Sequence, residues 1–176
     1  SQNIDEIMSR SVKRVYEKGR KVMNMLPRPT KYSLVCGVGD SATKLNAFDM
    51  ALLNAGVGNL NLLRVSSILP PSCEYVDKME IPPGSLTPIA YGTISSDVKG
   101  QEIAAAVAIG LSEDTYGVIM EYSGVCSKEE AEERVIEMAR EAFRMRNLPL
   151  VKVVSKAISH KVENCGSAFA GVVLWY

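Results

Sequence analysis

The sequence predicts an α+β domain, on three observations. Apolar β-like runs recur through the second half of the chain. One helix with a capping box interrupts them. Several runs are apolar on both faces, so both faces of the sheet region should be covered. With 176 residues, 47% hydrophobic and 23% charged, the chain has the size and composition of one compact globular domain.

Taken in order, residues 1–28 predict an amphipathic helical extension. Ile4, Ile7, Met8, Val12, Val15, Tyr16, Val22 and Met23 recur near helical spacing with Lys and Arg between them, and Pro27 and Pro29 stop the pattern. The domain proper is then 29–176. Residues 31–39 predict a first strand. Residues 43–55 predict a short helix with Leu45, Phe48, Leu52 and Leu53 on its apolar side and Gly56 to end it. Residues 59–69 are apolar and β-rich until Pro70-Pro71. Further strands are expected over 86–95, 102–111, 116–122, 150–159 and 167–176, although Ala104-Ala105-Ala106 suits a helix as well. Between them, Ser127-Lys-Glu-Glu130 opens a helix as a capping box. Ala131, Val135, Met138, Ala139, Ala142 and Phe143 give it an apolar face, and Asn147 and Pro149 end it.

Composition removes several function classes. Twenty basic and twenty acidic residues cancel, so nothing marks nucleic acid or an anionic membrane as a partner. No apolar run approaches the ~20 residues that span a bilayer. Cys36, Cys73, Cys126 and Cys165 are scattered and His160 is the single histidine. No metal site is therefore expected, and four reduced cysteines suit a cytoplasmic protein. Gly37-Val-Gly39 is a fragment of a dinucleotide fingerprint without its third glycine. A Ser-His-Asp triad would have to use His160, which is better read as structural.

The unusual stretch is Asn59 to Pro71. A serine pair in an apolar strand is most often a strand end or a turn. Here it also permits chemistry. Held in a strained backbone, a serine hydroxyl can attack the carbonyl just before it, turning the peptide into an ester. β-Elimination then breaks the ester, and hydrolysis of the resulting dehydroalanine leaves a ketone. Glu121 sits in an apolar strand, where its pKa should be raised unless it pairs with a Lys or Arg at a strand edge. Asp49 lies on a helix read as buried, so it needs a partner, either internal, such as Arg64, or from a ligand.

From about Tyr32 to Tyr176 the chain resembles the pyruvoyl-dependent arginine decarboxylases. The landmarks are Leu45-Asn-Ala-Phe-Asp49, Ala51 to Asn59, Asn61-Leu-Leu-Arg-Val-Ser-Ser-Ile-Leu-Pro-Pro71, Ala90-Tyr-Gly92, Ile119-Met-Glu-Tyr122, and Ala168-Phe-Ala through Leu174-Trp-Tyr176. The resemblance implies cleavage between Ser66 and Ser67 into 1–66 and 67–176, with Ser67 becoming a self-generated pyruvoyl cofactor. It makes Asn61 an aid to self-processing, Glu121 the proton donor, and Asp49, Gly58 and Ser66 substrate-binding. Neither pyridoxal phosphate nor a metal is then needed, because a ketone conjugated with an amide carbonyl can accept the electrons released as carbon dioxide leaves. The implied reaction is L-arginine to agmatine, an early step toward polyamines. The implied fold is a four-layer αββα sandwich, assembled as a trimer of αβ pairs or a dimer of trimers. Two alternatives stay open: a pyruvoyl decarboxylase for another amino acid such as histidine, or an unprocessed, non-catalytic trimeric paralogue.

Overall fold

The computed structural model describes Ser9, Arg10, Val12 and residues 26–176. The expected 1–28 helix lies almost wholly outside the described residues. From residue 31 onward the order is β1 (Lys31–Ser41), α1 (Lys44–Asn54), β2 (Asn61–Arg64), β3 (Ile68–Leu69), β4 (Glu74–Tyr75), β5 (Leu86–Ser96), β6 (Glu102–Leu111), β7 (Gly117–Gly124), α2 (Lys128–Met145), β8 (Lys152–Lys161) and β9 (Cys165–Trp175). The strands form two sheets, a first in the order β2-β5-β9-β1-β4 and a second in the order β3-β7-β6-β8. Mixed α+β structure is therefore what the chain adopts. Among the described residues no helix is long and apolar enough to cross a membrane.

One core lies between the sheets. Ala90, Ala168, Ala170 and Val172 from the first meet Ile103, Val107, Ile109 and Ile119 from the second. On its other face the first sheet packs Ile89, Phe169 and Val173 against Ala51 of α1 and Ala55, which caps that helix. The second sheet packs Ala104, Ala106 and Ala108 against Ala131, Val135 and Ala139 of α2. β6 and β9 are thus buried on both faces, as their unbroken apolar runs require. The alanine triplet is strand, because alternate residues face the sheet core and the small face lets α2 come close. The capping box forms as expected: the Ser127 hydroxyl accepts from the Glu130 N–H at 3.1 Å. Asn147, just past the helix, takes the left-handed conformation with φ of 53°.

Two expectations are corrected. Residues 59–69 are not one strand. β2 pairs with β5 in the first sheet, and β3 pairs with β7 in the second. A continuous apolar run cannot report that its halves belong to different sheets. Second, α1 buries Ala47 and Ala51, with Phe48 and Leu52 partly covered, whereas Leu45 is 77% exposed and Leu53 50%. Leu45, Asp49 and Leu53 share a stripe turned away from the sheet, so Asp49 is exposed and needs no internal partner.

Gly37 and Gly39 set how closely α1 approaches. A Cβ at Gly37 would stand 2.1 Å from the Ala51 carbonyl oxygen, and one at Gly39 would stand 2.2 Å from that of Ala47. The pair is a seat for a helix backbone. Gly37→Ala is expected to destabilise the fold by roughly 1–3 kcal/mol, read as a lower urea midpoint at unchanged slope. An unmoved midpoint would refute the seating role.

His160 is structural. Its Nε2 lies 2.7 Å from Asp40 Oδ2, and Asp40 also accepts from the backbone N–H groups of Glu163 and Asn164 at 2.9 Å each. Burial alone would raise the Asp40 pKa. The hydrogen bonds together outweigh it and lower the value. This carboxylate ties the β8–β9 turn to the end of β1.

Candidate active site

The chain crosses from one sheet to the other at Ser66 and Ser67. Upstream, the Val65 N–H donates to the Ile89 carbonyl at 3.0 Å and ends pairing in the first sheet. Downstream, the Ile119 N–H donates to the Ser67 carbonyl at 2.7 Å and begins pairing in the second. Between these anchors, neither the Ser66 carbonyl nor the Ser67 N–H has a hydrogen bond among the described residues. The Ser66–Ser67 peptide is thus gripped on both sides and unheld in the middle. Ser66 is exposed and Ser67 half-buried at this edge, where β2 and β3 are the outermost strands of their sheets.

Glu121 faces the same edge from β7, two residues beyond Ile119. It points into the gap between the sheets. A Cβ at Gly92 on β5 would come within 3.2 Å of the Glu121 Cβ, so the absent side chain there leaves the carboxyl its room. Burial raises the Glu121 pKa, and the positive charge of Arg64 partly offsets the rise. Arg64 is held in place: its guanidinium donates to the Tyr91 carbonyl at 2.7 Å and lies over the Tyr91 ring, 4.4 Å from the centroid. The raised pKa predicted for Glu121 is therefore present, with an arginine nearby rather than a salt bridge.

The remaining expected site residues lie elsewhere in the chain. Asn61 opens β2, five residues before Ser66, or ~16 Å along an extended strand. Its side-chain amide donates to the Gly84 carbonyl at 2.9 Å. Asp49 is on the exposed face of α1, across the first sheet from Glu121. Gly58 lines a cleft of about 420 Å³ bounded by the end of α1, the 56–60 loop and the 77–83 loop. It leaves no room for a side chain, because a Cβ would stand 2.6 Å from the Leu53 side chain. One chain therefore joins Ser66, Ser67 and Glu121 at one edge. No hydrogen bond or ion pair links Asp49, Gly58 or Asn61 to them, and Asp49 forms no ion pair with Arg64 or any other described residue.

Sequence reasoning missed part of this setting. The sequence offers Arg64 only as a partner for Asp49, and Tyr91 and Gly92 only as landmarks of the resemblance. A lone cation in the apolar run before the serine pair was the available signal for Arg64. Chemically, the edge offers a hydroxyl beside an unheld carbonyl and a carboxyl whose pKa burial raises. Among the described residues, no cluster could hold a metal ion.

Comparisons with known proteins place the whole of residues 31–176 in one family. The family model described as "Pyruvoyl-dependent arginine decarboxylase" matches residues 31–176. A Methanocaldococcus jannaschii protein named pyruvoyl-dependent arginine decarboxylase is 51% identical over 150 residues, covering 84% of this chain and 91% of its own length. Proteins with the same name from Methanococcus aeolicus and Pyrococcus furiosus are 50% and 45% identical, each over 84% of this chain and over 91% and 96% of their own lengths.

Proposed function

Because the chain belongs to the pyruvoyl-dependent arginine decarboxylase family, we propose that it cuts itself between Ser66 and Ser67 and then decarboxylates L-arginine to agmatine. The observation that carries this reading is the crossing of the serine pair between two sheets, held at Val65 and Ser67 and free between them. The Ser67 hydroxyl attacks the Ser66 carbonyl, whose oxygen no ladder bond restrains. Elimination and hydrolysis leave fragments 1–66 and 67–176, with Ser67 as the pyruvoyl precursor. The pyruvoyl group supplies an electrophilic carbonyl that binds the substrate amine and accepts the electron pair left by carbon dioxide. Glu121 then delivers a proton to the substrate α-carbon, a task suited to a carboxyl whose pKa burial raises. No pyridoxal phosphate or metal takes part.

Asp49 binds the substrate guanidinium, Gly58 and Ser66 line the pocket, and Asn61 assists processing by donating to the attacked carbonyl. The separation of Asp49, Gly58 and Asn61 from Ser67 within one chain supports a shared site. In a trimer of αβ pairs, or a dimer of trimers, the Asp49, Gly58 and Asn61 of one protomer would meet the Ser67 and Glu121 of its neighbour. Exposed Leu45 and Leu53 flanking Asp49 on α1, with exposed Leu63 and Ile68 flanking the serine pair, supply apolar surface for such a contact. The packing of α1 and α2 on the outer faces of the two sheets favours the four-layer αββα sandwich. We take residues 1–28 as an extension outside the 29–176 domain, and the setting as cytoplasmic, at an early step toward polyamines.

The deciding experiment is an intact mass under denaturing conditions. Two fragments split after Ser66, the larger lighter than its encoded sequence by one ammonia, are expected. A single species near 19.2 kDa that converts no arginine after prolonged warming would overturn the reading. Site sharing has its own test. Asp49→Asn and Glu121→Gln chains, each poorly active alone, should regain part of the activity when co-expressed. Failure to complement in a confirmed mixed trimer would place each site within one protomer.

A further inference from the structure

Maturation contains a step that the groups assigned so far leave unassisted. Once the Ser67 hydroxyl has formed its ester with the Ser66 acyl group, the Ser67 Cα–H bond must break. The proton passes to water at this half-exposed edge. Its electron pair forms the Cα–Cβ double bond, and the Cβ–O bond breaks with its pair on the departing Ser66 carboxylate. A Cα–H beside an amide carbonyl is a weak acid, and the charge that develops at Cα spreads onto the Ser67 carbonyl oxygen.

That oxygen is the one held by the Ile119 N–H at 2.7 Å. We propose that the backbone N–H of Ile119 is an oxyanion donor for the β-elimination that cuts the chain. The inference rests on the self-processing reading above. The distance falls within the 2.7–3.1 Å window in which such donors act, and the group is fixed beforehand by the β3–β7 ladder. Ile119 is fully buried, so little water competes for its N–H. The geometry also explains an asymmetry at the crossing. Among the described residues of one chain, the carbonyl that must be attacked has no hydrogen bond, whereas the carbonyl that must take up charge has one. The donor belongs to the main chain, so side-chain substitution of Ile119 leaves it in place.

Replacing Ile119 by its α-hydroxy acid converts the 118–119 amide into an ester and removes only this N–H. Processing is expected to slow on the order of 10²-fold or more, the loss typical of one oxyanion donor. Full-length chain should accumulate that hydroxylamine splits between Ser66 and Ser67, the signature of a stalled ester. The same replacement at Val151, whose N–H donates to the Leu111 carbonyl at 2.9 Å, controls for losing one backbone hydrogen bond and should process normally. Wild-type processing in the Ile119 variant would overturn the proposal. So would equal slowing in both variants, or an uncut chain that hydroxylamine leaves whole. Unmodified chain that never cleaves would instead defeat the self-processing reading itself. Should the Ile119 ester fail to fold, a ¹³C carbonyl label at Ser67 in the amide chain decides. A lowered stretching frequency supports the donor, and the frequency of a free amide refutes it.

Discussion

Ser67→Ala protein is expected to remain a single species near 19.2 kDa, folded and without decarboxylase activity. Alanine keeps the backbone and most of the side-chain volume but has no oxygen to attack the Ser66 carbonyl. The Ser67 hydroxyl makes no hydrogen bond among the described residues, so its loss should move the thermal midpoint little. The effect on turnover is the whole enhancement, on the order of 10⁶-fold or more, because the electron sink is never made. Mass spectrometry and an agmatine assay on one preparation check both halves. Cleaved, active Ser67→Ala protein would sink the mechanism.

Glu121→Gln should separate the two activities of the chain. It is expected to cleave, because no processing step is assigned to the Glu121 carboxyl, and then to turn over arginine roughly 10²- to 10⁴-fold more slowly for want of a positioned acid. The pH behaviour follows from the raised pKa. The folded chain holds the Glu121 proton to higher pH than the unfolded chain does. The contribution to stability is full below the ordinary carboxylate value of 4.5 and is lost as pH rises through the raised value. The glutamine variant has no proton to lose there, so its stability should fall less across that window. Undiminished turnover would remove Glu121 from its role, and an unchanged stability profile would mean the carboxyl is not strained by burial.

Much of the fold was legible because single strands and helices write local patterns. β6 runs from Glu102 to Leu111, the bounds its apolar run implies, and the capping box at Ser127 opens α2. Pairing was not legible. The run 59–69 reads as one strand because hydrophobicity does not record which neighbour each half pairs with. Asp49 reads as buried because Leu45 and Leu53 look like core. The helix instead rests on alanines over glycines, leaving its leucines outside. At the site, Glu121 and the serine pair announced themselves by chemistry out of keeping with their apolar runs. Arg64, Tyr91 and Gly92 gather only through the β2–β5 pairing, and the Ile119 N–H carries no side-chain signal at all.

The first sheet interleaves the two fragments that the cut would make. β1 and β2 fall before Ser67, yet β1 lies between β9 and β4, and β2 lies beside β5, all of them after it. Severing the chain therefore frees nothing, since eleven residues of β1 stay laddered to β9. What changes is the return journey. The precursor folds with its pieces tethered, at an effective concentration on the order of millimolar for a short link. The two pieces, once unfolded, would have to find each other by diffusion and could no longer regain the tether. Such a maturation would act as a ratchet. The chain would have to fold before it could cut, and after cutting its persistence would be set by how slowly it comes apart rather than by how readily it re-forms.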